Sequence, residues 1–289
     1  MHNVAMTNSA TRLLLAALAS VLTAWAAPAP AQADASDYIR HVSDQGSAPR
    51  ALEVAITGFE APSGARVDLV GAIHVADRAY FAELDRRLAE YGVVLYELVG
   101  EPGRVSAPRG ASISMVGLMQ GGMKNALGLA FQLDEIDYGR DNMVHADLTP
   151  DAFSASMRER KESFLGMMLR AWAMAMAEQG SGKTAGEEAE FIKALFADDR
   201  QLALKRVLAE QLSGQTELLE TLAGDNGSTL ITVRNQRALE VLREQLDAGA
   251  RDIAIFYGAG HMPDFEKRLV EEFGMRRVSN EWIEAWDLR

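Results

Sequence analysis

The sequence predicts an α/β fold: a mixed β-sheet built from both ends of the chain, flanked by helices, with a long all-helical insertion between the β-rich halves. Three observations predict it. Residues 51–99 read as strand, turn, strand, helix, strand, the pattern of a hairpin running into a β-α-β unit. From about residue 112 to 246 no segment reads convincingly as a strand, and the periodicity is helical. The β pattern returns only at DIAIFYGAGH, Asp252 to His261, and in the closing RRVSNEWIEAWDL.

The first 33 residues stand apart. They contain no acid and one arginine, Arg12, then the apolar run Leu13 to Ala27 and the small-residue stretch APAPAQA. This is the pattern of a secretory signal peptide, with cleavage expected near Ala33-Asp34. The run is shorter than the roughly 20 apolar residues a membrane-spanning helix needs, so no transmembrane segment is expected after cleavage. The expected location is periplasmic or secreted. Residues 34–50 read as a polar tail, and residues 51–289 as one domain with a helical insertion over about 112–227.

Composition excludes several functions. The full chain carries a net charge of −12, so its field repels phosphate, and nucleic acid is not an expected partner. There is no cysteine, which removes disulfides, thiolate metal sites and cysteine nucleophiles. A metal would have to be held by His, Asp and Glu.

The elements follow in order. ALEVAITGFE, Ala51 to Glu60, reads as a strand, APSGA as a turn and RVDLVGAIH as a second strand. Phe81, Leu84, Leu88 and Tyr91 recur at helical spacing, giving a helix over 76–91 with Asp77 as its cap. VVLYELV, Val93 to Val99, is the third strand. In HADLTPDAF, Thr149 is the expected N-cap and Pro150 the first helical residue. STLITVRNQRALEVLREQL reads as a helix capped by Ser228, and Asp264 to Phe273 as another. GSGKT, Gly180 to Thr184, lacks the earlier glycine of a phosphate loop, because Ala177 stands there, and reads as an interhelix loop. The thirteen methionines cluster among apolar residues at helical spacing and read as core or pocket wall.

Two short motifs carry chemistry. Gly71-Ala-Ile-His74 and Gly258-Ala-Gly-His261 share a spacing, and each follows an apolar strand. In α/β folds ligands bind at the carboxyl ends of parallel strands. Gly71, Gly258 and Gly260 would let the backbone turn there and let a ligand approach. Glu97 sits near the end of the third strand, where a charge is costly to bury unless paired or bound to a cation. Two imidazoles and a carboxylate suit a divalent ion such as Mn, Co or Zn. His74, Glu97 and His261 are thus the candidate metal ligands, with Glu97 either third ligand or general base. Arg234 is a candidate to steady an oxyanion and Asn235 to orient substrate. His145 and Asp147 are further candidates, although a structural loop before the helix cap is the plainer reading of HADL.

The paired GxxH motifs, Glu97, the Arg234-Asn235 pair before the second motif, and GAGH itself resemble the TraB/Tiki/GumN family. The resemblance covers the hairpin through Glu97 and then about residue 227 to the end. It implies an α/β fold related to the erythromycin-esterase-like and ChaN-like proteins. Tiki members are divalent-metal-dependent proteases whose paired histidines and glutamate belong to the active site. Carried over, this implies His74, Glu97 and His261 at a metal, with Arg234 and Asn235 beside it. Many members have Thr or Ser where this chain has Ala72. The expected function is an exported metal-dependent hydrolase acting on a peptide or small molecule. The alternatives are a haem- or metal-binding protein without turnover, and a peptide-sequestering interaction protein.

Overall fold

A computed structural model of the chain describes residues 38–44, 48–101, 127–163, 184–214 and 227–289. The expected signal peptide, most of the methionine clusters and residues 180–183 of the GSGKT loop lie outside these. Residues Ala33–Arg289 form one compact unit. Among the described residues, no helix is long and apolar enough to cross a membrane.

A seven-stranded mixed sheet is built from strands β1 (Ile39–Ser43), β2 (Pro49–Glu60), β3 (Arg66–Ala72), β5 (Val93–Tyr96), β7 (Met143–His145), β8 (Asp252–Gly258) and β9 (Arg276–Asp287). A separate two-stranded ribbon joins β4 (Val75–Ala76) to β6 (Ala130–Phe131). The long strand β2 pairs with β9 along one edge and with β1 and then β3 along the other, all antiparallel. Next to β3 the order is β8, β5, β7, and these contacts are parallel. The expected hairpin is β2–β3. The expected β-α-β pair is β3 and β5, linked by helix α1 (Arg78–Leu88), but β8 is inserted between them.

The strand patterns follow from where each strand lies. After their first residue, β3 and β8 are buried throughout, as parallel strands covered on both faces must be. That is why their sequences run apolar rather than alternate. The core holds Phe59, Leu69, Phe81, Phe256, Phe265 and Trp286, each fully buried. The remaining helices are α2 (Gln132–Glu135), α3 (Pro150–Glu159), α4 (Thr184–Leu195), α5 (Arg200–Gly214), α6 (Arg234–Asp247) and α7 (Met262–Phe273). Thr149 caps α3 as expected, its hydroxyl accepting from the Ala152 N–H at 3.2 Å.

Three expectations are corrected. The tail of residues 34–50 contains β1, a short edge strand anchored by the fully buried Tyr38. The segment expected to be all helical contains β6 and β7, of two and three residues, too short to show any alternation. Asp77 occupies the N-cap of α1, but its side chain makes no cap hydrogen bond. Its carboxylate instead accepts from Lys205 Nζ at 2.8 and 2.9 Å and from the Asp287 N–H at 2.7 Å. A lysine within the expected insertion is thereby tied to the segment that follows His74.

Lys205 is 7 % exposed, while the Asp77 side chain keeps 27 % of its surface. Removing one partner of a buried pair leaves the other uncompensated, and the remaining exposure of Asp77 reduces that penalty. Lys205→Ala is expected to lower folding stability by about 2 kcal/mol, read from the shift in urea midpoint. A midpoint unchanged from the parent would show that the pair contributes nothing.

Candidate functional site

Four parallel strands finish at one edge of the sheet, and each brings a polar residue there. β3 and β8 pair in register, with Gly71 beside Tyr257 and Ala72 beside Gly258. The two GxxH motifs therefore end side by side. On the other side of β8, Tyr96 of β5 pairs with Phe256, and the Glu97 N–H donates to the Phe256 carbonyl at 3.1 Å. Beyond β5, His145 of β7 pairs with Tyr96, and Asp147 follows two residues later. Residues 74, 261, 97 and 147 are thus delivered by neighbouring strand ends.

Glycine leaves open space at the centre of this edge. A Cβ on Gly258 would stand 3.3 Å from Glu97 Oε2 and 3.4 Å from His74 Nε2. The missing side chain leaves a cradle onto which the carboxylate and the first imidazole both face. The Gly258 N–H donates to Glu97 Oε2 at 2.6 Å. Gly71 has a packing role instead, since a Cβ there would press on Val54 at 3.0 Å and the Ala55 carbonyl at 3.1 Å. Gly260 lies in the short turn Ala259–His261 and does not adopt the left-handed region.

The second imidazole completes the group. His261 Nε2 lies 3.6 Å from Glu97 Oε1. Its Nδ1–H donates to Asn235 Oδ1 at 2.6 Å, and its ring packs edge-on against Tyr257 with centroids 5.2 Å apart. Burial pushes the His261 imidazole down to about 4, so it is neutral near neutral pH. Burial also works against ionisation of Glu97. His261, Arg234, His74 and the Gly258 N–H outweigh it and hold the carboxyl well below the ordinary range. With His261 neutral, Arg234 is the standing positive charge in this balance.

Arg234 is 8 % exposed and lies on the buried face of α6, in line with Ala238, Val241 and Leu242. A wide turn over Thr229–Val233, capped by the Ser228 hydroxyl accepting from the Ile231 N–H at 3.2 Å, leads into it. Such π-type turns are frequent at functional sites. Arg234 Nε and Nη2 donate to the two oxygens of Asp147 at 2.9 and 2.6 Å, and Nη2 also donates to Glu97 Oε1 at 2.6 Å. Its Nη1 makes one long contact, to the Leu230 carbonyl at 3.4 Å.

The geometry revises several expected roles. Arg234 is expected to steady an oxyanion, but its fork is committed to two carboxylates, so it anchors Glu97 to Asp147. Asn235 is fully buried behind His261, where its Nδ2 donates to the His261 carbonyl at 3.1 Å and to Asp264 Oδ2 at 2.8 Å. It holds the histidine rather than a substrate. Asp147 joins the site as the partner of Arg234. His145 does not join it: its Nε2–H donates to the Leu98 carbonyl at 2.7 Å, and its ring packs edge-on against Tyr96.

His74 is exposed, and its Nδ1 lies 2.9 Å from Gln132 Oε1. Gln132 is missed by sequence reasoning, since a glutamine at the start of a four-residue helix carries no local signal. Among the described residues, no three His, Asp or Glu side chains are drawn up as a finished cage for an ion. Each Glu97 oxygen has one partner, Arg234 or the Gly258 N–H, and keeps a second lone pair beside the two imidazole Nε2 atoms. The donor set nonetheless fits a divalent cation in kind: two imidazoles and an ionised carboxylate around a cradle that a Cβ would fill.

No family model, curated protein or solved structure matches the chain.

Proposed function

We propose that the chain is an exported metal-dependent hydrolase that cleaves peptide bonds. The observation that carries this reading is the convergence of His74 and His261 on Glu97 around the Gly258 cradle, at the carboxyl ends of parallel strands. The resemblance of the motifs to the TraB/Tiki/GumN family supports it, as does the signal-peptide pattern of residues 1–33.

In this reading His74, His261 and Glu97 hold a divalent cation such as Mn, Co or Zn. The cation, when bound, polarises a substrate carbonyl and makes water a better nucleophile. The residues divide the remaining work. A carboxylate held well below the ordinary range is a poor proton acceptor at neutral pH, so Glu97 serves as ligand rather than general base. Arg234 orients Glu97 through Oε1 and the Gly258 N–H orients it through Oε2, so the carboxylate enters the site in one position. Asp147 is fully buried at its side chain and fixes Arg234 from behind.

Metal content tests the proposal. The chain freed of residues 1–33 is loaded with Mn, Co or Zn, and ion stoichiometry is measured beside His74→Ala and His261→Ala. The expected result is about one ion per wild-type chain, with a loss of at least roughly tenfold in affinity for each variant. Divalent-metal-dependent cleavage of a peptide library should follow the same order. Three folded proteins that all stay metal-free would sink the reading.

A further inference from the structure

Each histidine of the pair is held at two points by one amide-bearing residue. Asn235 accepts from His261 Nδ1 and donates to the His261 main-chain carbonyl. Gln132 does the same for His74 by a different route. Its Oε1 faces His74 Nδ1 at 2.9 Å, and its main-chain N–H donates to the His74 carbonyl at 3.0 Å. One amide lies at residue 235, at the start of α6, and the other at residue 132, at the start of α2, just after the ribbon that pairs Val75 with Phe131 and Ala76 with Ala130. Two unrelated pieces of backbone thus arrive at the same hold.

We infer that Gln132 is a positioning residue that locks His74 in the Nδ1–H tautomer, leaving the Nε2 lone pair aimed at the Gly258 cradle. Gln132 Nε2 donates to the Tyr138 hydroxyl at 2.8 Å while its Oε1 faces the histidine. An amide oxygen can only accept, so His74 Nδ1 must carry the proton. Gln132 is 4 % exposed and Tyr138 is 7 % exposed, so water does not compete for these contacts. In water a histidine side chain prefers the opposite tautomer, with the proton on Nε2. The hydrogen bond made by the other nitrogen decides which form is present. That the lone pair serves a metal rests on the function proposed above; that it exists does not.

Ring-nitrogen NMR of the metal-free chain, at mildly alkaline pH, separates the two tautomers, with His74→Ala supplying the assignment. Wild-type His74 is expected with Nδ1 protonated and Nε2 bare. Gln132→Met keeps the length and removes the acceptor, and should move His74 toward the Nε2–H form. Gln132→Glu restores an acceptor and should restore the Nδ1–H form. In parallel, Gln132→Met should weaken binding of the metal ion alone by roughly 10- to 100-fold, as loss of such a partner does elsewhere. Wild-type His74 found as Nε2–H overturns the inference, and so does a folded Gln132→Met with the tautomer unchanged. If Gln132→Met does not fold, the wild-type spectrum decides alone. A chain that shows the Nδ1–H form yet binds no ion supports the inference and counts against the metal reading.

Discussion

Arg234→Leu is expected to lower folding stability by about 4 kcal/mol, measured by urea denaturation. The substitution removes a cation that pairs with both Asp147 and Glu97, whose side chains are 0 % and 9 % exposed. Removing one partner of a buried ion network costs far more than the network contributes, because the remaining charges stay buried and uncompensated. Lysine should not restore the loss. An ammonium is a point charge and cannot span both oxygens of Asp147 and Oε1 of Glu97 as the planar fork does. Adding Asp147→Leu to Arg234→Leu should recover part of the stability, since it removes the more deeply buried orphan. A single variant within about 1 kcal/mol of wild type would mean that Asp147 and Glu97 find other partners or take up protons at little cost.

The metal-free protein is expected to lose on the order of 3 kcal/mol of stability between pH 6.5 and 4 through His261 alone. The folded imidazole titrates near 4 and the unfolded one near 6.5, so within that window the unfolded chain takes up the proton first. Stability therefore falls as pH falls through the window, and the contribution is flat above it. Glu97 adds a loss of the same sign at lower pH. Its folded carboxyl is held below its unfolded value of 4.5, so the stability it confers above 4.5 is lost on further acidification. Urea titrations at several pH values will show the slope, and His261→Gln should flatten its upper part. A parent protein equally stable at both ends of the window would mean that His261 is hydrated rather than buried.

What the sequence shows of this fold is what is local. The β2–β3 hairpin, the buried runs of β3 and β8, and the caps at Thr149 and Ser228 each leave a periodic or positional mark within a few residues. Insertion of β8 between β3 and β5 leaves none, because parallel neighbours are chosen by tertiary packing. β7 has three residues and cannot alternate. At the site, the matched motifs point to His74 and His261, and a carboxylate in an apolar strand points to Glu97. Arg234 was legible as a site candidate but not as a buried residue, because an arginine on a helix ordinarily reads as a solvated face. Its job was not legible either, since Asp147 lies 87 positions earlier in the chain. Gln132 was invisible because its partner is on another segment and its own neighbours are unremarkable.

The position of β8 also has a consequence in time. Synthesis runs from the amino end, and β3 and β5 are made long before the strand that separates them. Until residues 252–258 arrive, both strands present unpaired edges toward a slot one strand wide, the kind of edge that invites pairing with another chain. The final strand then holds the first histidine's segment. The Trp286 indole N–H donates to the Val75 carbonyl at 2.8 Å, and the Ala285 carbonyl accepts from the Asp77 N–H at 3.0 Å. A nascent chain stopped before residue 252 would carry His74 and Glu97 and still have no site, because residues 252–289 supply both the second imidazole and the latch on the first.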